Sequence, residues 1–213
     1  MQRSETIQPN RGGTAEAQRL RAETTRARLI SAARTAFAEA GYNATGTNDI
    51  VTAAAVTRGA LYHHFADKQA LFEAVYCEAA EELNTRARSA ALAQYADSWA
   101  QITGAFKNYL ELLASDPAYQ RILLIDAPAA LGWSRWRELQ SQYIAQDTAR
   151  ALRLLMREGI MVQRPADPLA NLIQAALNDA ALSLAYAPDP RKASIEICSA
   201  FIFLLSGLRA AGH

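Results

Sequence analysis

Eight consecutive residues, Thr57 to His64, combine side chains that can contact a polyanion with small residues that permit close approach. A guanidinium such as that of Arg58 can hydrogen-bond a guanine edge with two donors, and phenol or imidazole groups can reach phosphate oxygens. Gly59 and Ala60 add little bulk, so the backbone here can approach a groove floor. These residue types predict contact with DNA.

Two short helices and a three-residue turn must position these side chains. Thr47 is predicted to cap a helix that runs to about Ala54, and Thr57 to cap the next helix. Val56 and Leu61 can form a hydrophobic staple that fixes the angle between the two helices. This arrangement is typical of a helix-turn-helix, which places its second helix in the major groove.

The side chains left on the outer face form the predicted DNA-binding site. Arg58 is the base-reading candidate, and Lys68 should bind phosphate beside the open N–H groups of the next helix. Taken singly, Tyr62 and His64 could instead pack on their own domain. No metal site is predicted, because adjacent His63 and His64 would point about 100° apart on a helix. The predicted set is Thr47, Asn48, Thr57, Arg58, Gly59, Ala60, Tyr62, His63, His64 and Lys68.

The surrounding sequence resembles the N-terminal domain of TetR-type (tetracycline-repressor-like) transcriptional regulators over roughly residues 24 to 84. The resemblance implies a three-helix DNA-binding domain followed by an all-helical ligand-binding and dimerisation domain, usually acting as a repressor that a small molecule releases. Gly46 departs from the Ser or Thr common in the family. The matching segments are Gly41-Tyr42, Thr45 to Ile50, Ala55 to Phe65, Asp67-Lys68 and Leu71-Phe72.

Composition limits the other classes of protein. The chain has 213 residues, of which 51% are hydrophobic, but no apolar run reaches the roughly 18 to 20 residues of a membrane span. No hydrophobic signal segment opens it, and Cys77 and Cys198 alone make no disulfide framework. We therefore expect a soluble cytoplasmic protein, without support for a thiol-based sensor.

Charge is unevenly distributed along a chain whose net charge is only +1. Residues 1–68 hold nine Lys or Arg against six acidic residues, a surplus where phosphate binding would need it, although a solvated surface would also explain it. Residues 1–23 are expected to form a flexible basic arm whose arginines could enter a minor groove. The DNA-binding domain is expected over 24–84, and the ligand-binding and dimerisation domain over 85–213.

Apolar residues recur at helical spacing along the chain, so we predict an all-α fold of about nine helices. Gly41 is expected to end the first helix, whose inner stripe is Leu29, Ile30, Ala33 and Phe37. A long helix from Asp67 to around residue 91 should bridge the two domains. Further helices are predicted at 98–115 and 133–158. Three Asp-Pro pairs predict helix starts, at Asp116-Pro117, Asp167-Pro168 and Asp189-Pro190.

The last two helices each carry an apolar face, and pairing them with a second copy would make a four-helix bundle. Leu172 and Ile195 belong to these faces, and the alternative is that both faces are the core of a single chain. The predicted homodimer interface is Leu169, Ile173, Ala176, Leu177, Ala180, Leu184, Phe201, Ile202 and Leu205.

Aromatic residues of the middle helices are candidates for a small-molecule pocket, although helical spacing also fits plain core. Arg135 or Arg137 could meet an anionic group of the effector. No cofactor is expected. Two rivals are a ligand-free DNA-binding or architectural protein and, less favoured, a helical enzyme, for which the sequence offers no nucleophile motif or phosphate loop. The candidate ligand-binding residues are Trp99, Phe106, Tyr109, Tyr119, Trp133, Trp136 and Tyr143.

Overall fold

A computed structural model describes residues 11–210, apart from the side chains of residues 11–15, 143 and 144. The α-helices are α1 Arg11–Ala40, α2 Thr47–Ala53, α3 Arg58–His64, α4 Lys68–Gln94, α5 Ser98–Ser115, α6 Pro117–Tyr119, α7 Ala127–Leu131, α8 Trp133–Gln140, α9 Gln146–Arg157, α10 Ala166–Ala185 and α11 Pro190–Ser206. A π-helical segment, π1 (Gln120–Ile125), continues α6, and a second, π2 (Ser141–Ala145), joins α8 to α9. The all-α prediction is confirmed.

Helices α1, α2 and α3 pack with the first half of α4 around one apolar core. The predicted inner stripe of α1, from Leu29 to Phe37, is at most 1% exposed, and Leu61 of α3 is fully buried beneath it. The rings of Phe37 and Tyr42 both meet Phe72 of α4 edge-on, with centroids 5.1 and 5.0 Å apart. This packing sets the angle at which α3 faces outward.

The caps of α2 and α3 confirm one of the two predicted helix starts and correct the other. The Thr57 hydroxyl accepts a hydrogen bond from the Ala60 N–H at 3.1 Å, which caps α3 as predicted. Helix α2, however, is capped at Gly46 rather than at Thr47. The Asp49 carboxylate accepts from the Gly46 N–H at 3.3 Å, so its negative charge is placed at the start of the helix.

Two of the three Asp-Pro pairs start helices as predicted. Asp116 and Asp189 each accept a backbone hydrogen bond from the first turn, of α6 and α11 respectively. The third prediction is wrong, because α10 begins at Ala166 and Asp167 already lies inside its first turn. There Asp167 forms an ion pair with Arg153 of α9 instead of a cap.

The expected flexible arm is also corrected, because α1 begins at Arg11 and residues 11–23 are therefore helical. Residues 16–28 of this helix are exposed, apart from half-buried Ala22 and Thr25, so that α1 extends beyond the domain core. Residues 1–10 of the predicted arm lie outside the described residues.

Helix α4 continues into the C-terminal helices, where it packs along α5 and against π1 and α7. Helices α9, α10 and α11 close around α5. Gly159, at φ +74°, follows Glu158, the C-cap residue of α9. None of the helices in residues 11–210 is long and apolar enough to cross a bilayer.

Candidate DNA interface and effector cavity

The outer face of α3 presents the predicted DNA-binding side chains to solvent. Arg58, Tyr62 and His63 are exposed, and Ala60 and His64 are half-buried. The other predicted positions, Thr47, Asn48, Thr57 and Gly59, are exposed or half-buried next to them. Since only Leu61 of α3 is buried, the helix is held by one apolar anchor and leaves the rest of its surface open.

Arg58 and Tyr62 form a prearranged pair on this surface. The Arg58 guanidinium carbon lies 5.6 Å from the centre of the Tyr62 ring, one helical turn away. The Arg58 guanidinium and then the Thr47 hydroxyl, both hydrogen-bonding to it, lower the pKa of the Tyr62 phenol. The Arg58 side chain is thus oriented on an aromatic face before any ligand arrives.

The two histidines lie edge to face, with ring centroids 5.3 Å apart. Partial burial, His63 and the nearby Arg26 lower the pKa of the His64 imidazole. His64 is therefore mainly neutral at pH 7. Among the described residues, no group of three or more His, Cys, Asp or Glu side chains could hold a metal ion.

Lys68 has a different position from the one predicted. Its ammonium donates to the main-chain oxygens of Tyr42 at 2.7 Å and Thr45 at 2.9 Å, and lies 4.3 Å from the centre of the Tyr42 ring. Lys68 therefore clamps the turn between α1 and α2 from the first residue of α4. The expected free ammonium beside phosphate is corrected to a structural contact inside the domain.

A cavity of about 220 Å³ lies between α4, α5, α9 and α10. Its apolar walls include Phe106 and Leu177, and the Phe106 ring is held by an edge contact with Phe201, with centroids 5.2 Å apart. Tyr109 lines its buried side and is 6% exposed. At the exposed side Arg88 of α4 pairs with Asp147 of α9 at 2.9 Å.

Six of the seven predicted ligand-binding aromatics have described side chains, and two of these six, Phe106 and Tyr109, line this cavity. Trp136 is buried in the core, where its indole N–H donates to the Leu123 main-chain oxygen at 3.1 Å, and Trp133 is 60% exposed. The Tyr119 hydroxyl donates to Glu82 of α4, and Trp99 lies under the Arg209 guanidinium. These four assignments to the cavity are therefore corrected, whereas the Tyr143 side chain lies outside the described residues and its assignment stays a prediction.

Arg135 is also unavailable to an anionic ligand. Its guanidinium forms a two-point ion pair with Glu73 of α4 and a further bond to Glu138, and these partners raise its pKa. Arg137 is exposed and lines a separate polar groove between α8 and α10. The cation that does line the cavity, Arg88, is not among the predicted residues, because nothing in its sequence context places it opposite Asp147, 59 residues later.

Most of the predicted dimer residues lie inside the chain's own core. Ile173, Leu177, Leu184, Phe201 and Leu205 are each at most 6% exposed, so they are corrected to core residues. Leu169, Ala180 and Ile202 are half-buried, and Ala176 is exposed. The large apolar side chains that remain on the surface of α10 and α11 are Leu172, Ile195, Phe203 and Leu204, between 66% and 78% exposed.

The N-terminal helices α1 to α3 are joined to the C-terminal helices by hydrogen bonds at the end of α1. Asp126, which follows π1, accepts from the Tyr42 N–H at 2.8 Å, and Arg121 of π1 donates to the Glu39 oxygen at 3.0 Å. A Cβ at Gly41, where φ is +83°, would lie 3.3 Å from the Asp126 carboxylate. The turn after α1 therefore fits closely against π1.

A second junction joins α1, α4 and α6. Glu82 of α4 accepts hydrogen bonds from Arg34 of α1 and from the Tyr119 hydroxyl, and Arg86 donates to the same hydroxyl. Burial alone would raise the pKa of Glu82, but the Arg34 and Tyr119 hydrogen bonds and the two arginine charges together lower it. The carboxylate is therefore held ionised between the two domains.

Comparisons with known proteins give the same fold and family. A family model described as "Tetracyclin repressor-like, C-terminal domain" matches residues 99–208, and one described as "Bacterial regulatory proteins, tetR family" matches residues 29–75. A TetR-family transcriptional regulator from Pectobacterium atrosepticum is 34% identical in sequence to this chain. Its crystal structure superposes with a TM-score of 0.79, and the match covers 92% of this chain and 99% of that one.

Two further relatives are more distant. An HTH-type transcriptional repressor of Mycobacterium tuberculosis, Rv1474c, is 29% identical over 78% of this chain and 86% of its own length. RolR, whose structure contains the ligand resorcinol, has the same fold with a TM-score of 0.69 at 23% identity, covering 87% of this chain and 89% of its own. These matches agree with the exposed helix α3 and with the all-helical C-terminal domain. The chain therefore belongs to the tetR family of DNA-binding transcriptional regulators.

Proposed function

We propose that this regulator is a dimeric repressor that binds a palindromic operator and is released by a small-molecule effector. The observation that carries the proposal is the course of α4. This helix begins directly after α3, at Asp67-Lys68, and ends beside the cavity. It contributes Asn84, Arg88 and Leu92 to the lining. A shift of α4 caused by a ligand would therefore move α3.

At the DNA, α3 would enter the major groove with Arg58 directed at a guanine. Tyr62, His63 and His64 would contact phosphates on either side of the groove, and Thr47 and Asn48 would do so from the start of α2. The exposure of these side chains and the stacking of Arg58 on Tyr62 support this arrangement.

Two copies would associate through the exposed apolar surface of α10 and α11. Four large apolar side chains, Leu172, Ile195, Phe203 and Leu204, are open to solvent on these two helices, and contact with a second copy would remove them from water. A two-fold contact would place the two copies of α3 about one DNA turn apart, roughly 34 to 36 Å. This distance matches the spacing of the two half-sites of a palindrome.

The cavity supports the effector-responsive form of the proposal over a ligand-free DNA-binding or architectural protein. RolR, a protein of the same fold, holds resorcinol in its crystal structure, which supports effector binding by this architecture. The named relatives are regulators, so we infer a binding protein rather than an enzyme. As an operator-binding protein it would act in the cytoplasm, where the DNA is.

Selection of bound fragments from a random DNA pool tests the proposal. We expect a palindrome, and Arg58→Ala should weaken binding to it by about 1 to 3 kcal/mol and relax one base position in each half-site. Arg157→Ala, an exposed arginine at the end of α9, is the control and should leave the binding unchanged. Enrichment of no palindrome, or an Arg58→Ala protein with unaltered affinity and sequence preference, contradicts the proposal.

A further inference from the structure

The volume and the lining side chains of the cavity between α4, α5, α9 and α10 indicate the class of ligand that it would bind. At about 220 Å³ it is smaller than the roughly 300 to 1,000 Å³ typical of sites for drug-sized molecules. One wall is the ring of Phe106, which packs edge to face with Phe201. A preformed aromatic wall of this size suits a ligand with a single ring.

The charges at the cavity disfavour an ionic ligand. The lining contains one cation, Arg88, and one carboxylate, Asp147, and they are paired with each other at 2.9 Å. Asp147 also contacts Arg150 at 3.2 Å. An anionic ligand would have to displace Asp147 from Arg88, a cationic ligand would have to displace Arg88 from Asp147, and either would lose its own hydration on entering apolar walls.

Two polar side chains, Tyr109 and Thr148, line the buried side of the cavity, and each is at most 6% exposed. Among the side chains that the structure describes, none forms a hydrogen bond with the Tyr109 hydroxyl, and burial raises the pKa of this phenol, so it stays neutral. Because Tyr109 lines the cavity, its hydroxyl can form a hydrogen bond with a ligand oxygen placed against it. Arg88, by contrast, lies at the solvent side, half-exposed.

We propose that the effector is a small uncharged ring compound with a hydroxyl or carbonyl oxygen, bound with that oxygen on Tyr109 and its ring against Phe106. This inference rests on the proposed effector-responsive function and adds to it the ligand class and the residue that selects it. Tyr109 is thus a specificity-determining residue, and the Arg88–Asp147 pair is the boundary that keeps charged analogues out.

Direct binding to the full-length protein tests this with four matched probes. They are p-cresol, which is uncharged at neutral pH, toluene, which lacks the oxygen, 4-methylbenzoate and 4-methylbenzylamine. Isothermal titration calorimetry should show binding of p-cresol about fivefold tighter than toluene, the contribution of one neutral hydrogen bond. The two ionic probes should bind more weakly than toluene.

Tyr109→Phe separates the hydrogen bond from the shape of the cavity. It should lower the affinity for p-cresol about fivefold and leave toluene unchanged, whereas Tyr95→Phe, outside the cavity lining, should change neither. Tighter binding of an ionic probe, equal losses for p-cresol and toluene in Tyr109→Phe, or no binding of any probe would overturn the proposal. Binding of p-cresol without any change in operator affinity would instead contradict effector release and leave the ligand class intact.

Discussion

Lys68 shows how a single side chain can support DNA binding without touching DNA. Its ammonium holds the two carbonyl groups of the turn between α1 and α2, at Tyr42 and Thr45, so it fixes the position of α2 beneath α3. Sequence alone placed this cation at the start of α4 but gave no sign of its acceptors, which lie 26 and 23 residues earlier. By contrast, the cap at Thr57 is predictable from its neighbour Ala60, and the inward direction of Leu61 from its staple with Val56.

Replacing this lysine should reveal its structural role. Lys68→Ala should lower the free energy of unfolding by about 2 kcal/mol, because two hydrogen bonds from a charged donor are lost. Operator affinity should fall equally for all sequences, and its slope against salt concentration should stay as in the wild type. Urea unfolding and binding titrations at several salt concentrations provide the measurement. A slope smaller by about one, with normal stability, would show a phosphate contact instead.

His64 makes a prediction about pH at the same scale. Its pKa is below the usual 6.5 in the free protein, and a neighbouring phosphate favours the protonated imidazole, so DNA binding should take up a proton. Operator affinity should therefore rise as the pH falls from 7.5 to 5.5, by at most about tenfold per unit. The operator affinity of the His64→Asn protein should rise less over the same pH range. Equal pH dependence in the two proteins, measured at constant ionic strength, would contradict this contribution.

At the scale of helices, most helix starts are predictable from local signals, whereas the direction in which α10 and α11 face the core is not. Helix α5 and the capped starts of α6 and α11 follow the sequence prediction. Helix α10 is rich in Leu and Ala on every side, so its pattern leaves the direction of the core open, and only the packed neighbours decide it. Leu172 is consequently exposed and Ile173 buried, although both belong to the same predicted face. The π-helical segments carried no sequence signal that we recognised.

The junction of α1, α4 and α6 depends on the ionised form of Glu82. Because its pKa is lowered in the folded chain, it contributes stability above the usual carboxyl value of 4.5, and this contribution is lost as the pH falls through the lowered value. Glu82→Gln should reduce the free energy of unfolding by about 1 kcal/mol at pH 7, since the pair is partly exposed. The difference in the free energy of unfolding between Glu82→Gln and the wild type should shrink at pH 3.5. Glu78→Gln, exposed on the same helix, is the control for urea unfolding, and a constant difference at both pH values would contradict the assignment.

For the whole molecule, the proposed dimer depends on side chains that are costly to expose. Leu172→Glu combined with Phe203→Glu should convert the dimer to a monomer, because each carboxylate would be buried without a partner. Sedimentation velocity measures the mass, and operator affinity should fall at least tenfold since the two half-sites are no longer bound together. Ser89→Glu, exposed on α4, is the control. A double variant that remains dimeric places the interface elsewhere.

The contacts of Asp126 and Arg121 with the end of α1 limit how freely this regulator can be recombined. They satisfy a main-chain N–H and a carbonyl group of the DNA-binding domain with side chains of the C-terminal domain. A chimera that attaches residues up to the middle of α4 to a foreign C-terminal domain would leave both groups without their partners. Exchange of C-terminal domains in this protein therefore requires an acidic side chain and an arginine to be transplanted with the DNA-binding domain.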